Sequence, residues 1–402
     1  MTELTTIERD AVAFASERPM LANTQAWAAI NSGTRNLEGL SQVAAGLADA
    51  FSALPGKLRL VDPGQADAVT TDGRVEAIEH GRHLHLTVRP NAPVQLLLTG
   101  HMDTVFGADH PFQAQQWRDD GALNGPGVAD MKGGLALMLA ALEAVEASPD
   151  SDRLGYEIVI NSDEETGSFS SAALIAQAAH GKVAALTYEP ALPDGTLAGA
   201  RGGTGNFSIT VRGRSAHAGR NPEDGRNAIV AAAAIAVRLA TAAGPRLAVN
   251  PARIDGGGPN NVVPDLAILR VNFRPATQDE IARARAEIDA AVAMVGAEHE
   301  VEISVHGGFN RPPKPIDAGA ERLFTLVKDA GADLGQPIAW RTTGGVCDGN
   351  NIAACGVPVV DTMGARGGAI HSADEFLIVD SLAERAALSA VTMLRLAGGA
   401  LA

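Results

Sequence analysis

Aromatic residues are scarce in this chain: two Tyr, three Trp and ten Phe in 402 residues. That excludes a stacking platform for single-stranded nucleic acid. Basic residues are also in deficit, with 32 Lys and Arg against 47 Asp and Glu, a formal net charge of −15. No Lys/Arg run offsets this, so a duplex-binding face is excluded as well. Cysteine is limited to Cys347 and Cys355. A disulfide framework is not implied, and a reducing, cytoplasmic setting is expected. The N-terminal MTELTTIERDAVAFASERP has no basic segment followed by an apolar core, so no signal peptide is read there. The longest apolar run, 228–243, is Ala-rich and interrupted by Arg238, which reads as a packed helix and not a membrane span.

What the chain does have is length for two cores, an ordinary 46% hydrophobic content, and many Ala and Gly. The stretch 94–132 organises the rest. Leu96, Leu97 and Leu98 read as a buried parallel strand, and Thr99-Gly100-His101-Met102-Asp103 follows at its C-terminal end. Open α/β sheets keep reactive groups just past such ends. His101 is therefore a candidate metal ligand, and Asp103 a carboxylate that orients its ring. Gly125-Pro126-Gly127 makes a turn that delivers Asp130, and a helix opens at Gly133-Gly134.

Two further strands end the same way. The run 156–161 leads to Ser162-Asp163-Glu164-Glu165-Thr166-Gly167, and 183–188 leads to Glu189-Pro190. His371 lies in a Gly-bordered loop. Strands alternating with helices predict a largely parallel sheet flanked by helices. Residues 1–55 read as helical with a break at 30–34. His80, His83 and His85 fall in or beside the clearest strand of 69–88; they read as solvated surface side chains, with metal binding as the alternative.

From about Gly199 the pattern changes to strand-helix-strand-strand-helix-strand, the ferredoxin-like order. The expected organisation is thus a catalytic domain in two parts, 1–198 and 310–402, with an inserted α+β domain at 199–309.

His101, Asp130, Glu165, Glu189 and His371 together form the N/O donor set that two borderline metal ions need, with one carboxylate shared. Glu164 is left free to act as general base. A nucleotide-binding oxidoreductase would need a GxGxxG turn; GPGVADMKGG has the wrong spacing and puts Asp130 where a phosphate would be repelled.

Eight motifs in order resemble the M20 family of metallopeptidases, most closely its glutamate carboxypeptidase branch. They are GHMDTV (100–105), GPGVADMKGG (125–134), NSDEETGS (161–168), YEP (188–190), RSAHAG (214–219), GPNNVVPD (258–265), TTGGVCDGNNIA (342–353) and GGAIHSADEF (367–376). The resemblance implies that His101 and Glu189 hold one zinc ion, Glu165 and His371 the other, and Asp130 bridges. Cobalt or manganese would also suit these donors. It implies Glu164 as general acid/base, Asp103 as the orienting carboxylate, and a homodimer formed through the inserted domain. His217 of that domain would reach the partner's site to stabilise an oxyanion. Asn260, Asn261 and Arg274 would contact substrate, and Gly344, Gly345 and Asp348 would lie in the loop lining the pocket.

The implied activity is hydrolysis of an amide bond beside a free carboxylate, in a small molecule or short peptide. Two alternatives stand beside it: deacylation of N-acyl amino acids, and a catalytically inactive binding protein on the same fold. The chain departs from the branch at Cys347, where a threonine is usual, and over 201–206. Cys347 is read either as a buried small side chain or as a thiol facing the substrate.

Overall fold

The computed structural model describes residues 3–401, so 1, 2 and 402 of the N- and C-terminal readings lie outside the described residues. Three helices come first: α1 (Thr6–Ser16), α2 (Met20–Ala28) and α3 (Leu37–Phe51). A reciprocal capping box between Thr5 and Glu8 starts α1. The catalytic sheet is built from β1 (Lys57–Val61), β2 (His83–Val88), β3 (Val94–His101), β4 (Leu154–Asn161) and β5 (Ala184–Thr187), and is closed by a short late strand, Val359–Val360. Its order is β1-β2-β4-β3-β5, with the late strand beside β5. The four strands from β4 to the late strand are parallel. β1 and β2 run antiparallel to their neighbours, so the sheet is mixed and mostly parallel.

Side chains of β3 alternate between two cores, as a strand covered on both faces requires. Leu96 and Leu98 join the larger core with α4 (Gly133–Glu146). Leu97 faces the smaller core formed with α5 (Ala172–Ala179).

His80, His83 and His85 are all buried, which corrects their reading as solvated. β2 is interior, between β1 and β4, and its histidines face polar partners. His85 Nε2 meets Glu157 Oε2 at 2.6 Å, and Ser162 N donates to His83 Nδ1 at 3.3 Å.

The inserted sheet comprises β6 (Thr204–Arg212), β7 (Leu247–Gly256), β8 (Leu266–Pro275) and β9 (Glu302–Arg311) in the order β7-β8-β6-β9, all neighbours antiparallel. Helices α6 (Ala228–Thr241) and α7 (Gln278–His299) cover one face, over Phe207, Ile209, Leu269 and Phe273. The sheet runs from Thr204 to Arg311, later at each end than 199–309, because Leu197–Arg201 pairs with Trp340–Thr343 of the catalytic part.

The two connecting segments are tied together. Arg201 and Lys314 exchange backbone hydrogen bonds of 2.9 Å each. Asp361 receives Arg201 Nε at 2.8 Å and Lys314 Nζ at 3.1 Å. A hairpin of the first domain (67–77) also reaches the open face of the inserted sheet: Arg270 Nη2 donates to Thr70 O at 3.1 Å and His306 Nε2 lies 2.8 Å from Asp67. After β9 come α8 (Ala318–Asp333), α9 (Asp348–Ala354) and α10 (Ser381–Ala397); α10 packs on α4 and α1. Among the described residues no helix is long and apolar enough to cross a membrane.

Candidate metal centre

Register explains why the reactive groups meet. His101 pairs with Asn161 across β3 and β4, and Thr99 with Thr187 across β3 and β5. Residues just beyond those pairs leave the sheet at one level. Glu164 and Glu165 follow β4, and Glu189 follows β5. The Asp130 loop crosses above them. Gly127 turns into it with a left-handed φ of +70°, conformational space that favours glycine. The buried Glu375 carboxylate then accepts N–H bonds from Gly127, Ala129 and Asp130 at 3.0 to 3.2 Å. Glu375 lies inside the GGAIHSADEF motif, yet nothing in that motif as read separately marked it as the residue that shapes the Asp130 loop. Buried Lys132 donates to Ser32 Oγ and Met102 O, both at 2.7 Å, and ties the loop to the end of β3.

Asp130 presents its two oxygens to two histidines. Oδ1 is 3.0 Å from His101 Nε2, and Oδ2 is 3.2 Å from His371 Nε2. His371 Nε2 also lies 3.2 Å from Glu165 Oε2, and His101 Nε2 lies 3.8 Å from Glu189 Oε2. Donor atoms of His101, Asp130 and Glu165 all fall within 4.8 Å of one another, as do those of His101, Glu164 and Glu189. His371 has a left-handed φ of +62°, rare for a residue with a Cβ and characteristic of functional loops. Asp103, fully buried, approaches His101 Nδ1 at 3.4 Å with its carboxylate. It also accepts from Thr34 Oγ1 at 2.7 Å and from the Glu164 and Glu165 amides at 3.2 Å. The backbone carbonyl of Asp103 lies closer still to His101 Nδ1, at 3.1 Å, so this residue sits against both the imidazole and the two-glutamate loop.

Electrostatics bears the mark of crowded carboxylates. Burial pushes Glu164 well above the usual carboxylate range, against the pull of Arg311. Burial, with Asp130 adding to it, raises Glu165, and burial takes Glu189 up to about 7. Hydrogen bonds from the His371 ring to the Asp130 and Glu165 carboxylates push His371 up to about 11. Burial alone would lower His101, but Glu189, Asp103 and Asp130 outweigh it and raise it well above the imidazole range. Glu189 Oε1 is buried with no hydrogen-bond partner. An oxygen-rich, positive-poor donor set with an orphaned carboxylate oxygen is the chemistry of a cation site. The residues present therefore fit metal ions.

A cavity of about 490 Å³ opens beside the cluster. Its walls include Asp130, Glu164, Glu165, Glu189 and His371, with Gly344 and Gly345 from the glycine-rich loop. Two lining residues, Arg201 and Cys347, stand where the sequence departs from the carboxypeptidase branch. Arg201 donates to Gly345 O at 3.0 Å while pairing with Asp361. Cys347 is buried, caps α9 and still borders the cavity; burial pushes its thiol well up, so it is an un-ionised side chain in the wall.

Asp348 does not line the cavity, contrary to expectation. It is 2% exposed and accepts from Asn161 Nδ2 at 2.9 Å and from Ser168 Oγ, behind the two-glutamate loop. His217, Asn260, Asn261 and Arg274 do not line it either, and all four are exposed. The His217 and Asn261 loops do meet each other: Ala218 N donates to Asn261 O at 2.9 Å. Arg274 sits apart on β8, with Nε on Asn272. Arg311 was not singled out from the sequence. It places a guanidinium 2.7 Å from Glu164 Oε1. A slightly larger cavity, about 530 Å³, lies between the 67–77 hairpin and the inserted sheet. None of its residues belongs to either of the two donor clusters, so the smaller cavity is the one with chemistry.

Comparison with known proteins agrees with this geometry. The chain is 30% identical over 317 residues to carboxypeptidase G2 of Pseudomonas sp. (strain RS-16), covering 76% of this chain and 74% of that protein. It is 29% identical over 326 residues to succinyl-diaminopimelate desuccinylase of Psychrobacter sp. (strain PRwf-1), covering 74% and 78%. Its fold is similar to that of aminopeptidase PepT from Bacillus cereus ATCC 10987, with a TM-score of 0.70 at 21% identity over 95% of this chain and 99% of that one. The profile of peptidase family M20/M25/M40 matches residues 97–395. A cavity walled by clustered His, Asp and Glu on this fold, together with that match, places the chain in peptidase family M20, as a metal-dependent hydrolase of amide bonds.

Proposed function

We propose that the chain hydrolyses an amide bond next to a free carboxylate, in a C-terminal peptide or N-acyl amino acid, at two zinc ions. The observation that carries this is Asp130 spanning His101 and His371 with its two oxygens. His101 and Glu189 would hold one ion, Glu165 and His371 the other, and Asp130 would bridge. The chemistry supplied by bound ions is Lewis-acid polarisation of the carbonyl oxygen and of water. Glu164 takes the proton from the attacking water at its carboxylate and returns it to the leaving amine nitrogen. Asp103 keeps His101 and the Glu164 amide in place. Gly344 and Gly345 leave room in the wall for substrate backbone.

His217, Asn260, Asn261 and Arg274 come to the reaction from the inserted domain, with His217 serving the site of a second copy in a homodimer. Their exposure on one chain suits residues that work elsewhere. An arginine at 274 suits a substrate carboxylate, since its planar fork donates two hydrogen bonds. A cytoplasmic setting fits the two unpaired cysteines. The similarity to a desuccinylase supports a second reading of the same site, cleavage of an N-succinyl or N-acetyl amino acid.

Metal analysis of the purified protein, paired with amino-acid release from N-acyl glutamates, succinyl and acetyl amino acids and dipeptides, tests both readings. About two ions per chain and cleavage of one substrate class are expected. Glu164→Ala should lower kcat by roughly 10²- to 10⁴-fold while metal content stays unchanged. A fully active Glu164→Ala variant would overturn the assignment of the base. Protein that stays metal-free and inactive after zinc or cobalt is supplied would leave only the binding-protein alternative.

A further inference from the structure

Arg311 belongs to two domains at once. Its backbone is the last position of β9 and pairs with Thr204 in the inserted sheet. Its side chain leaves that sheet and enters the catalytic part, where it is 5% exposed. Nη2 lies 2.7 Å from Glu164 Oε1, 2.9 Å from Glu164 O, 2.9 Å from Ser168 Oγ and 3.5 Å from Asp348 Oδ1. Among the described residues it is the one cation within ion-pair distance of Glu164. The neighbouring residue Asn310 extends the contact, donating from Nδ2 to Gly167 O at 2.9 Å.

The Glu164 loop is otherwise held only from the catalytic side. Its amide donates to Asp103, and Gly167 N donates back to Glu164 O at 2.9 Å. Neither contact reaches the carboxylate. A glutamate side chain has three rotatable bonds, and the ion pair with Arg311 at 2.7 Å is the contact that reaches its carboxylate. Asp348 and Ser168 hold the guanidinium from behind. Asp348 is in turn fixed by Asn161 at the end of β4. The chain of contacts runs from the inserted sheet, through Arg311, to the oxygen that handles the proton.

We propose that Arg311 is the positioning residue through which the inserted domain sets the orientation of the Glu164 carboxylate. Arg311 closes β9 at the joint of 201–204 and 311–314, so a change in how the inserted sheet sits on the catalytic part shifts the Arg311 backbone. Base orientation and domain position are therefore coupled, and the base is correctly aimed only in one range of domain positions. The inference rests on Glu164 being the general base. It does not rest on the identity of the substrate or of the metal.

The test is a mutant cycle between positions 311 and 164, with the metal-loaded full chain. Arg311→Ala should lower kcat on the order of 10²-fold, the scale of a small misplacement of a reacting group, with KM nearly unchanged. Metal content should stay at the parental value, and added guanidinium ion should partly restore kcat. Arg311→Lys should fall between, because a point charge replaces a fork. In the Glu164→Gln background, Arg311→Ala should cause almost no further loss, as residues acting as a unit are non-additive. Equal fractional losses in both backgrounds, or loss of metal with Arg311→Ala, would show a merely structural role and overturn the proposal. Full activity of Arg311→Ala would do the same. Full activity of Glu164→Gln would instead bring down the reading of the base on which the proposal stands.

Discussion

At the scale of the residue, the site depends on backbones that come closer than side chains allow. Gly134, one residue into α4, faces Tyr188 so tightly that a Cβ would lie 2.1 Å from the Tyr188 carbonyl oxygen. The next residue is Glu189. Gly134→Ala must therefore push either the start of α4 or the Tyr188–Glu189 segment. Overpacking of this kind costs about 1–3 kcal/mol. The expected result is a lowered thermal midpoint together with weakened metal binding, read by calorimetry and by metal titration. Unchanged metal affinity in a destabilised variant would mean that α4 yields and Glu189 does not. His371, Glu164 and Glu165 were legible in the sequence because strand ends and glycine-bordered loops mark them. Glu375, Lys132 and Arg311 were not. Each acts through a partner distant in sequence: Glu375 through amides near 127–130, Lys132 through Ser32, Arg311 through Glu164. No local pattern encodes such pairings.

At the scale of the element, β2 is the instructive strand. Alternation in 82–88 predicted a strand but gave histidines the solvent side. The structure buries both faces: Leu84 and Leu86 enter the larger core, and polar groups on and just after β4 meet the imidazoles. A period-two pattern cannot distinguish a solvated face from one filled by satisfied polar side chains. The same limit hid the antiparallel direction of β1 and β2 in a sheet otherwise read correctly as parallel.

Glu157 on β4 carries the energetic weight of that face. It accepts from His85 Nε2 at 2.6 Å and Lys182 Nζ at 2.8 Å. Burial raises its pKa, but His85 and Lys182 outweigh burial and hold it below the usual carboxylate range. The folded state therefore prefers ionised Glu157, and its contribution exists above the unfolded carboxylate range and is lost as pH falls through the folded one. Glu157→Gln should cost about 1–2 kcal/mol near neutral pH, judged by urea midpoints. The gap between variant and parent should close as pH falls below the ordinary carboxylate range, where the parent carboxylate takes up its proton. A gap that stays constant across that range would assign the cost to packing and not to charge.

At the scale of the whole molecule, the fold concentrates negative charge where it is least soluble. Asp103, Asp130, Glu164, Glu165, Glu189 and Asp348 are gathered about one cluster, and among the described residues Arg311 is the arginine ion-paired with it. Carboxylates taken out of water repel one another strongly unless cations lie between them. Burial first, and that repulsion after it, displaces Glu164, Glu165 and Glu189 upward. The inserted sheet has its own core of Phe207, Ile209, Leu269 and Phe273 and meets this cluster through Arg311 at the end of β9. Metal removal should therefore act on one part of the chain. Ions present at about 1,000 times their Kd stabilise by about 4 kcal/mol. For a unit of roughly 290 residues that corresponds to a shift of about 5–10 °C. Chelation should lower the melting transition of the catalytic part by that amount and speed amide exchange in β3, the Asp130 loop and the segment after β5. Exchange in α6 and α7 should stay at its metal-loaded rate. Asp130→Ala, which removes the carboxylate facing both His101 and His371, should abolish most of the metal-dependent shift. A shift of equal size in that variant would place the stabilising ions elsewhere on the surface. Faster exchange in α6 and α7 on chelation would mean that the ions hold the inserted domain as well, through Glu164, Arg311 and β9.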